Sequence, residues 1–121
     1  MGKVLVIGAS ANPKKVSYHA VRKLLLHRYD VVPVGIREGI IGTCTIIKGK
    51  PIIDTVDLII LYINSEKQEE YYDYIVGLKP KKLLFNPGTE NPVLARLAIQ
   101  HDIEILYDCA LTLINAGIRH F

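Results

Sequence analysis

Apolar residues occur in short continuous runs that alternate with segments of helical spacing. The runs at 3–7 and 58–63 consist almost wholly of aliphatic residues, which is typical of strands covered on both faces of a sheet. Shorter apolar runs at 31–34, 82–85 and 103–106 predict three further strands. The chain is therefore expected to contain five strands.

Helical patterns separate most of these strands. Apolar residues spaced four apart predict an amphipathic helix over residues 16–27. Ser65 and Gln68 have the spacing of a capping box and predict a second helix start, and Asn91-Pro92 reads as an N-cap followed by the proline favoured at the first helical position. Residues 110–116 predict a short closing helix.

This alternation predicts an α/β fold: a doubly wound, Rossmann-like, five-stranded parallel sheet with helices on both faces. Numbered along the chain, the strands are expected in the order 3-2-1-4-5, with the topological switch beside the first strand. The glycine-rich segment 35–51 predicts a loop region with a poor helix or short strand at 44–47. No repeat or linker divides the chain, so residues 1–121 are expected to form a single domain.

The composition narrows the class of protein. The 121 residues are 50% hydrophobic and 22% charged, which suits one apolar globular domain. The two cysteines, Cys44 and Cys109, are too few for a disulfide scaffold, and neither they nor the four histidines have metal-ligand spacing, so a cytoplasmic location without a metal is expected. No stretch approaches the roughly 20 apolar residues of a membrane span.

Charge is distributed unevenly along the chain. Residues 1–50 carry nine Lys and Arg against two acids, whereas residues 51–121 carry six against ten. A net charge of +3 without a basic run argues against nucleic acid, while a positive amino-terminal half suits a small polyanionic ligand. Ordinary solvated surface charge explains the same imbalance.

Ligands of doubly wound sheets bind beyond the carboxyl ends of the strands. The loop at 8–17 ends at a predicted helix start, where free backbone amides favour phosphate, although a tight turn before a helix explains it too. It has one glycine of the G-x-G-x-x-G fingerprint and no P-loop ending. After the second strand, the acid typical of NAD enzymes is missing. Arg37 stands there instead, either to meet a ribose phosphate, as in CoA or NADP, or as an exposed loop residue.

The first loop, residues 8–17, reads Gly-Ala-Ser-Ala-Asn-Pro-Lys-Lys-Val-Ser and carries the pattern G-x-S-x-x-P-x-K-x-S. Together with Val32-Pro33-Val34, Gly42, the strand after Asp57, and Cys109, it makes the chain resemble the small single-domain CoA-binding proteins. These are relatives of the CoA-binding domain of the succinyl-CoA synthetase alpha subunit. The resemblance covers essentially the whole chain and implies binding of CoA or an acyl-CoA, with the pyrophosphate near residues 8–17.

The chain departs from that family at two loops. Relatives usually have Asn-Pro where this chain has Gly35-Ile36, and many have a Gln-x-Gly turn where it has Asn86-Pro87-Gly88. The candidate ligand-binding residues lie in the first loop or just after the strands. They are Gly8, Ala9, Ser10, Asn12, Pro13, Lys14, Ser17, Val34, Gly35, Arg37, Asn64, Asn86, Gly88 and Cys109.

Residues suited to catalysis are few, and we expect none. Cys109 follows Asp108, whose carboxylate raises a thiol pKa, so a reactive Cys109 would depend on a helix start; otherwise it is a small residue that begins a helix. The expected function is binding of a small nucleotide ligand as a carrier, sensor or partner module, without nucleic acid or membrane. The alternative is a small NADP-dependent or acyl-CoA-dependent enzyme. Tyr71, Tyr72 and Tyr74 fit helix packing or a dimer face, so a homodimer or another protein partner is left open.

Overall fold

The computed structural model describes residues 2–116. Five strands form one parallel sheet: Lys3–Ile7 (β1), Val31–Val34 (β2), Val56–Leu61 (β5), Lys82–Phe85 (β6) and Glu104–Tyr107 (β7). Between β2 and β5, Ile40–Ile41 (β3) and Cys44–Thr45 (β4) pair as a short antiparallel hairpin. The helices are Val16–Leu26 (α1), Ser65–Gln68 (α2), Tyr72–Leu78 (α3), Pro92–Gln100 (α4) and Ala110–Asn115 (α5), and a 3₁₀ turn at Glu69–Tyr71 joins α2 to α3.

Two of the helices begin at asparagine residues whose side chains cap them. The Asn91 side chain accepts hydrogen bonds from the Val93 and Leu94 amides, at 3.1 and 3.2 Å, which confirms the predicted cap of α4. The cap of α2 is Asn64, whose side chain accepts from the Lys67 amide at 2.9 Å, so the predicted capping box is wrong. Gln68 is instead fully buried, and its side-chain amide donates to the carbonyls of Ile63 and Thr89.

The five-stranded parallel sheet is confirmed, but its strand order differs from the predicted 3-2-1-4-5. The observed order is β2-β1-β5-β6-β7, which is 2-1-3-4-5 among the parallel strands. The outer edge of β2 is already occupied by Ile47, which bridges Val34 and whose amide donates to the Pro33 carbonyl at 2.9 Å. The next parallel strand, β5, pairs with the other side of β1, and the topological switch lies between β1 and β5.

Helices cover both faces of the sheet. All six residues of β5 are buried, because alternate side chains enter two apolar layers. Leu58 and Ile60 belong to the layer that includes α1 and α5, and Ile59 and Leu61 to the layer that includes α3 and α4. The sheet is therefore doubly wound, with its carboxyl edge left for loops. None of the helices in residues 2–116 has the length and apolar character needed to cross a bilayer.

Candidate functional site

A cleft of about 620 Å³ opens beyond the carboxyl ends of β1, β2 and β5. This volume falls within the roughly 300–1,000 Å³ of small-molecule pockets. The lining comes from the loop after β1, the start of α1, the loop after β2 and the segment after β5. It consists of Gly8, Ala9, Ser10, Ala11, Asn12, Lys15, Val16, Ser17, Gly35, Ile36, Arg37, Glu38, Tyr62, Ile63, Lys67 and Tyr71.

Two glycines bring the three strand ends together. Gly8 has φ +98°, and a Cβ there would lie 2.9 Å from the Tyr62 carbonyl carbon. At the end of β2, a Cβ on Gly35 would collide with the Ala9 carbonyl oxygen. Only glycine permits these approaches, so the floor of the cleft is made of closely packed backbone.

The loop after β1 is shaped by its own polar groups. Ser10 Oγ accepts a hydrogen bond from the Asn12 amide at 3.1 Å, and Asn12 Oδ1 accepts from the Lys14 amide at 3.0 Å. His19 Nε2 lies 2.7 Å from the Pro13 carbonyl oxygen and ties the loop to α1. Asn12 therefore both shapes the loop and lines the cleft, whereas Pro13 and Lys14 contribute only to the loop's shape.

The start of α1 has no side-chain cap. Lys15 is the N-cap residue, its side chain makes no capping hydrogen bond, and no acid occupies the first turn. Ser17 lines the cleft, is only 5% exposed, and has no side-chain hydrogen bond within residues 2–116. Because Ser17 Oγ is not one of the fully buried unpaired atoms of the described residues, it keeps contact with the cleft space, and helix starts attract anions. The start of α1 is therefore open to an anionic ligand.

The electrostatic character of the cleft is positive. Lys15, Arg37 and Lys67 line it, and within residues 2–116 none of them forms an ion pair with a carboxylate. Among the described lining residues the acid is Glu38, which lies 3.6 Å from Lys48 Nζ. Because that carboxylate is partly neutralised, the unpaired cations dominate the local potential.

The structure brings together about half of the sequence candidates. Those that line the cleft are Gly8, Ala9, Ser10, Asn12, Ser17, Gly35 and Arg37. Those outside its lining are Pro13, Lys14, Val34, Asn64, Asn86, Gly88 and Cys109.

The outlying candidates have other places in the fold. Val34 is a core residue, and Asn64 caps α2. Asn86 is 4% exposed: its Nδ2 donates to the Leu61 carbonyl at 2.9 Å and its Oδ1 accepts from the Ala110 amide at 2.8 Å. Gly88 lies in an exposed turn with φ +91°. Asn86 therefore joins strand ends in the interior, although its position after β6 suggested a ligand contact.

Sequence reasoning missed one wall of the cleft. Tyr62 and Ile63 were assigned to the third strand, but that strand ends at Leu61, so both lie at its carboxyl end. Lys67 and Tyr71 follow on the interrupted helix segment. Lys15 lines the cleft and its neighbour Lys14, the predicted ligand residue, does not; Lys15 is the lysine of the G-x-S-x-x-P-x-K-x-S pattern. That pattern was the available signal.

Cys109 is the N-cap residue of α5. The Thr112 backbone amide lowers the pKa of the Cys109 thiol, against the opposing effects of burial and Asp108. The direction is the one that a reactive Cys109 would require, and the reactivity of the thiol stays a prediction. Burial raises the pKa of Tyr62, and the charge of Cys109 raises it further.

The His, Cys, Asp and Glu side chains of residues 2–116 form no cluster that could hold a metal ion. His120 lies outside the described residues.

Solved structures share this fold. One, described as an uncharacterized protein, is 39% identical, with TM-score 0.92 and 97% of each chain covered. A hypothetical protein from Pyrococcus horikoshii OT3 is 22% identical, with TM-score 0.81 over 95% of this chain and 82% of that chain. A protein from Thermus thermophilus is 16% identical, with TM-score 0.83 over 95% and 88%. The last two show likeness of fold alone. Among curated proteins, no sequence matches this chain significantly.

A family model provides the functional comparison. The model described as a CoA binding domain matches residues 2–115, which is nearly the whole chain and includes every residue that lines the cleft. The match agrees with the resemblance drawn from the first loop. The chain belongs to the CoA-binding domain family.

Proposed function

We propose that the protein binds CoA or an acyl-CoA in the cleft, with the pyrophosphate at the start of α1. The observation that carries this placement is Ser17, a hydroxyl in a residue only 5% exposed, on the cleft wall, without a hydrogen-bond partner in residues 2–116. A phosphate oxygen would accept from this hydroxyl and from free amides of the first turn. Membership of the family supports CoA as the ligand.

The unpaired cations suit the two anionic groups of CoA. We assign Lys15, at the start of α1, to the pyrophosphate and Arg37, after β2, to the phosphate on the ribose. Charge-assisted hydrogen bonds to phosphate are about twice as strong as neutral ones. NADP also carries a ribose phosphate and is the alternative ligand, so the two must be compared directly.

We assign the protein a role as carrier, sensor or partner module without catalysis of its own. Acid–base catalysis requires positioned titratable groups at the reacting atoms. In the described cleft lining, the carboxylate of Glu38 is near Lys48 and no histidine or cysteine is present, which supports this role. The alternative, a small NADP-dependent or acyl-CoA-dependent enzyme, is favoured by the position of Cys109, whose partly exposed thiol stands at the start of α5, where backbone amides lower its pKa.

A ligand series tests the choice of CoA. A ligand at 100 times its Kd stabilises the native state by about 2.7 kcal/mol, so thermal unfolding reports relative affinity. At equal concentrations, CoA is expected to raise Tm more than NADP, and NADP more than NAD. A Tm shift with NADP that equals or exceeds the shift with CoA would contradict the assignment.

Ser17→Ala tests the placement of the pyrophosphate. Because the hydroxyl has no protein partner, the variant should keep the unliganded Tm and lose about 3- to 10-fold in CoA affinity, as for one hydrogen bond. Ser65→Ala is the control, since Ser65 is exposed on α2 and does not line the cleft. A lower unliganded Tm with unchanged CoA affinity would make Ser17 a structural residue and the placement wrong.

The cellular setting and partners are proposals as well. The free thiols of Cys44 and Cys109 support a location in the reducing cytoplasm.

Exposed apolar side chains at Val93, Ile99 and Tyr107 support a homodimer or another protein partner. Light scattering coupled to size-exclusion chromatography would give the mass in solution, and a monomer at all concentrations would remove the homodimer.

A further inference from the structure

Residues 48–55, the return segment, lead from the hairpin back to β5 and connect two walls of the cleft. One wall is the loop after β2, which includes Gly35 and Arg37, and the other is the segment after β5, which extends to Tyr71. The Gly35 amide donates to the Ile47 carbonyl at 3.1 Å, so the first wall is joined to the residue just before the return segment. A contact that fixes the return segment therefore also restrains the first wall.

Lys50 fastens the return segment to the second wall. Its ammonium group donates to the Glu70 carbonyl at 2.6 Å and lies 5.2 Å from the centre of the Tyr71 ring. Tyr71 is the N-cap residue of α3, so the Glu70 carbonyl lies before the regular α3 hydrogen-bond ladder and is open to a side-chain donor. Because the Tyr71 ring attracts the cation and also lines the cleft, Lys50 is tied directly to the second wall.

Tyr74 makes a second connection beside the first. Its hydroxyl donates to the Pro51 carbonyl at 2.5 Å, and its ring packs edge-on against Tyr71, with 6.4 Å between the ring centres. Tyr74 itself is outside the described lining of the cleft. A single hydrogen bond adds modestly to stability, but the bonds of Lys50 and Pro51 must break together when the return segment moves away from α3.

Resting on the proposed function, we infer that Lys50 and Tyr74 are positioning residues for the ligand, because they clasp the return segment against α3 and so set the distance between the Arg37 wall and the Tyr71 wall. A ligand that fills the cleft contacts both walls. It gains affinity when the walls are held at the bound separation beforehand, since less conformational freedom is lost on binding. Loss of either connection frees the walls to separate and weakens binding from outside the cleft.

A matched pair of tyrosine variants tests this inference. Tyr74→Phe removes the hydroxyl that holds Pro51, whereas Tyr72→Phe removes a hydroxyl of the same helix that accepts from Asn91 Nδ2 at 2.8 Å and is not part of the clasp. By calorimetric titration, Tyr74→Phe should bind CoA about 3- to 10-fold more weakly, and Tyr72→Phe within about twofold of wild type. A similar loss in both variants would reflect general destabilisation and overturn the inference.

Lys50 is tested by a conservative and a non-conservative change. Lys50→Arg keeps a cation with hydrogen-bond donors and should bind CoA within about twofold of wild type, whereas Lys50→Met should bind it about 3- to 10-fold more weakly. Lys79→Met, at the exposed end of α3, is the control for loss of a lysine charge. If Lys79→Met or Lys50→Arg loses as much affinity as Lys50→Met, the positioning role of Lys50 is contradicted.

Limited cleavage by trypsin tests the clasp in the unliganded protein. Arg37 and Lys48 lie on the part of the chain that the clasp restrains, and cleavage after them requires local opening. Cleavage at these two residues should be about 3- to 10-fold faster in Tyr74→Phe and Lys50→Met than in wild type or Tyr72→Phe. Equal rates in all four proteins would refute the clasp.

The two measurements separate this inference from the proposed function. If wild-type protein does not bind CoA while the cleavage rates differ as expected, the proposed function fails and the clasp between the walls stands. If wild type binds CoA and Tyr74→Phe and Lys50→Met bind it equally well, only the present inference fails.

Discussion

Gly8 joins the end of β1 to the residue after β5, and replacing it with alanine tests that contact. Its φ is +98°, and the added Cβ would lie 2.9 Å from the Tyr62 carbonyl carbon. Gly88 is a matched control, because its φ is +91° and nothing lies within 4 Å of an added Cβ. The two variants therefore share backbone strain and differ in crowding.

The magnitudes follow from these two effects. A positive φ destabilises an L-residue by about 1–2 kcal/mol, which applies at both positions. Crowding against backbone atoms that cannot move aside adds about 1–3 kcal/mol at Gly8. For a domain of this size, about 1 kcal/mol corresponds to about 4 °C in Tm. We expect Gly88→Ala to lower Tm by about 6 °C and Gly8→Ala by about 14 °C.

Differential scanning calorimetry of the unliganded variants measures this difference. If Gly8→Ala unfolds at the same temperature as Gly88→Ala, the close approach of Gly8 to Tyr62 is refuted. The expected result also has a practical meaning. A larger residue at position 8 would destabilise the folded protein even without a ligand. A loss of binding in a Gly8 variant therefore does not report on phosphate contacts.

Four further predictions concern charge and the thiols. Lys15→Ala should weaken CoA about tenfold by calorimetric titration, whereas Lys14→Ala, outside the cleft lining, should change it less than about twofold; equal losses would contradict the assignment to Lys15. Arg37→Ala should reduce CoA affinity about tenfold while sparing dephospho-CoA, which lacks the ribose phosphate, and equal effects on both would disprove that contact. Cys109 should be alkylated at lower pH than Cys44, because the start of α5 lowers the pKa of Cys109 whereas burial raises that of Cys44; peptide mapping measures both midpoints. With CoA disulfide, the Cys109 thiolate should attack one sulfur and release CoA thiolate, giving a mixed disulfide detectable by intact mass; an adduct on Cys44 would count against this geometry.

The strands were predictable because burial on both faces leaves an apolar run with no polar alternation, as in β5. Their order was not, because the apolar runs do not say which edge of β1 a later strand joins. The first loop was likewise located by its position after a strand and before a helix. Which of its lysines enters the cleft does not follow from position alone, because adjacent residues at a helix start point in different directions; only the motif, which includes Lys15, distinguishes them.

Asn86 shows why residue type and position after a strand do not suffice to predict a ligand contact. The residue type suits both a ligand contact and an interior hydrogen bond, and only the positions of Leu61 and Ala110 show that Asn86 makes the latter. Tyr62 was missed for a different reason. Its apolar ring continues the run of β5, so the pattern does not mark the point where pairing stops.

The hairpin segment between β2 and β5 has a consequence for local unfolding. Its two strands are two residues long, and its attachment to the sheet includes the hydrogen bonds of Ile47. Freeing the segment breaks few hydrogen bonds and exposes the buried side chains of Ile41 and Ile46, which disturbs less of the molecule than unfolding the sheet, so its amides should exchange with solvent through local opening. Since Gly35 and Arg37 lie at its base and line the cleft, a bound ligand would favour the closed form and slow that exchange. The degree of order of this surface segment would then report whether the cleft holds a ligand.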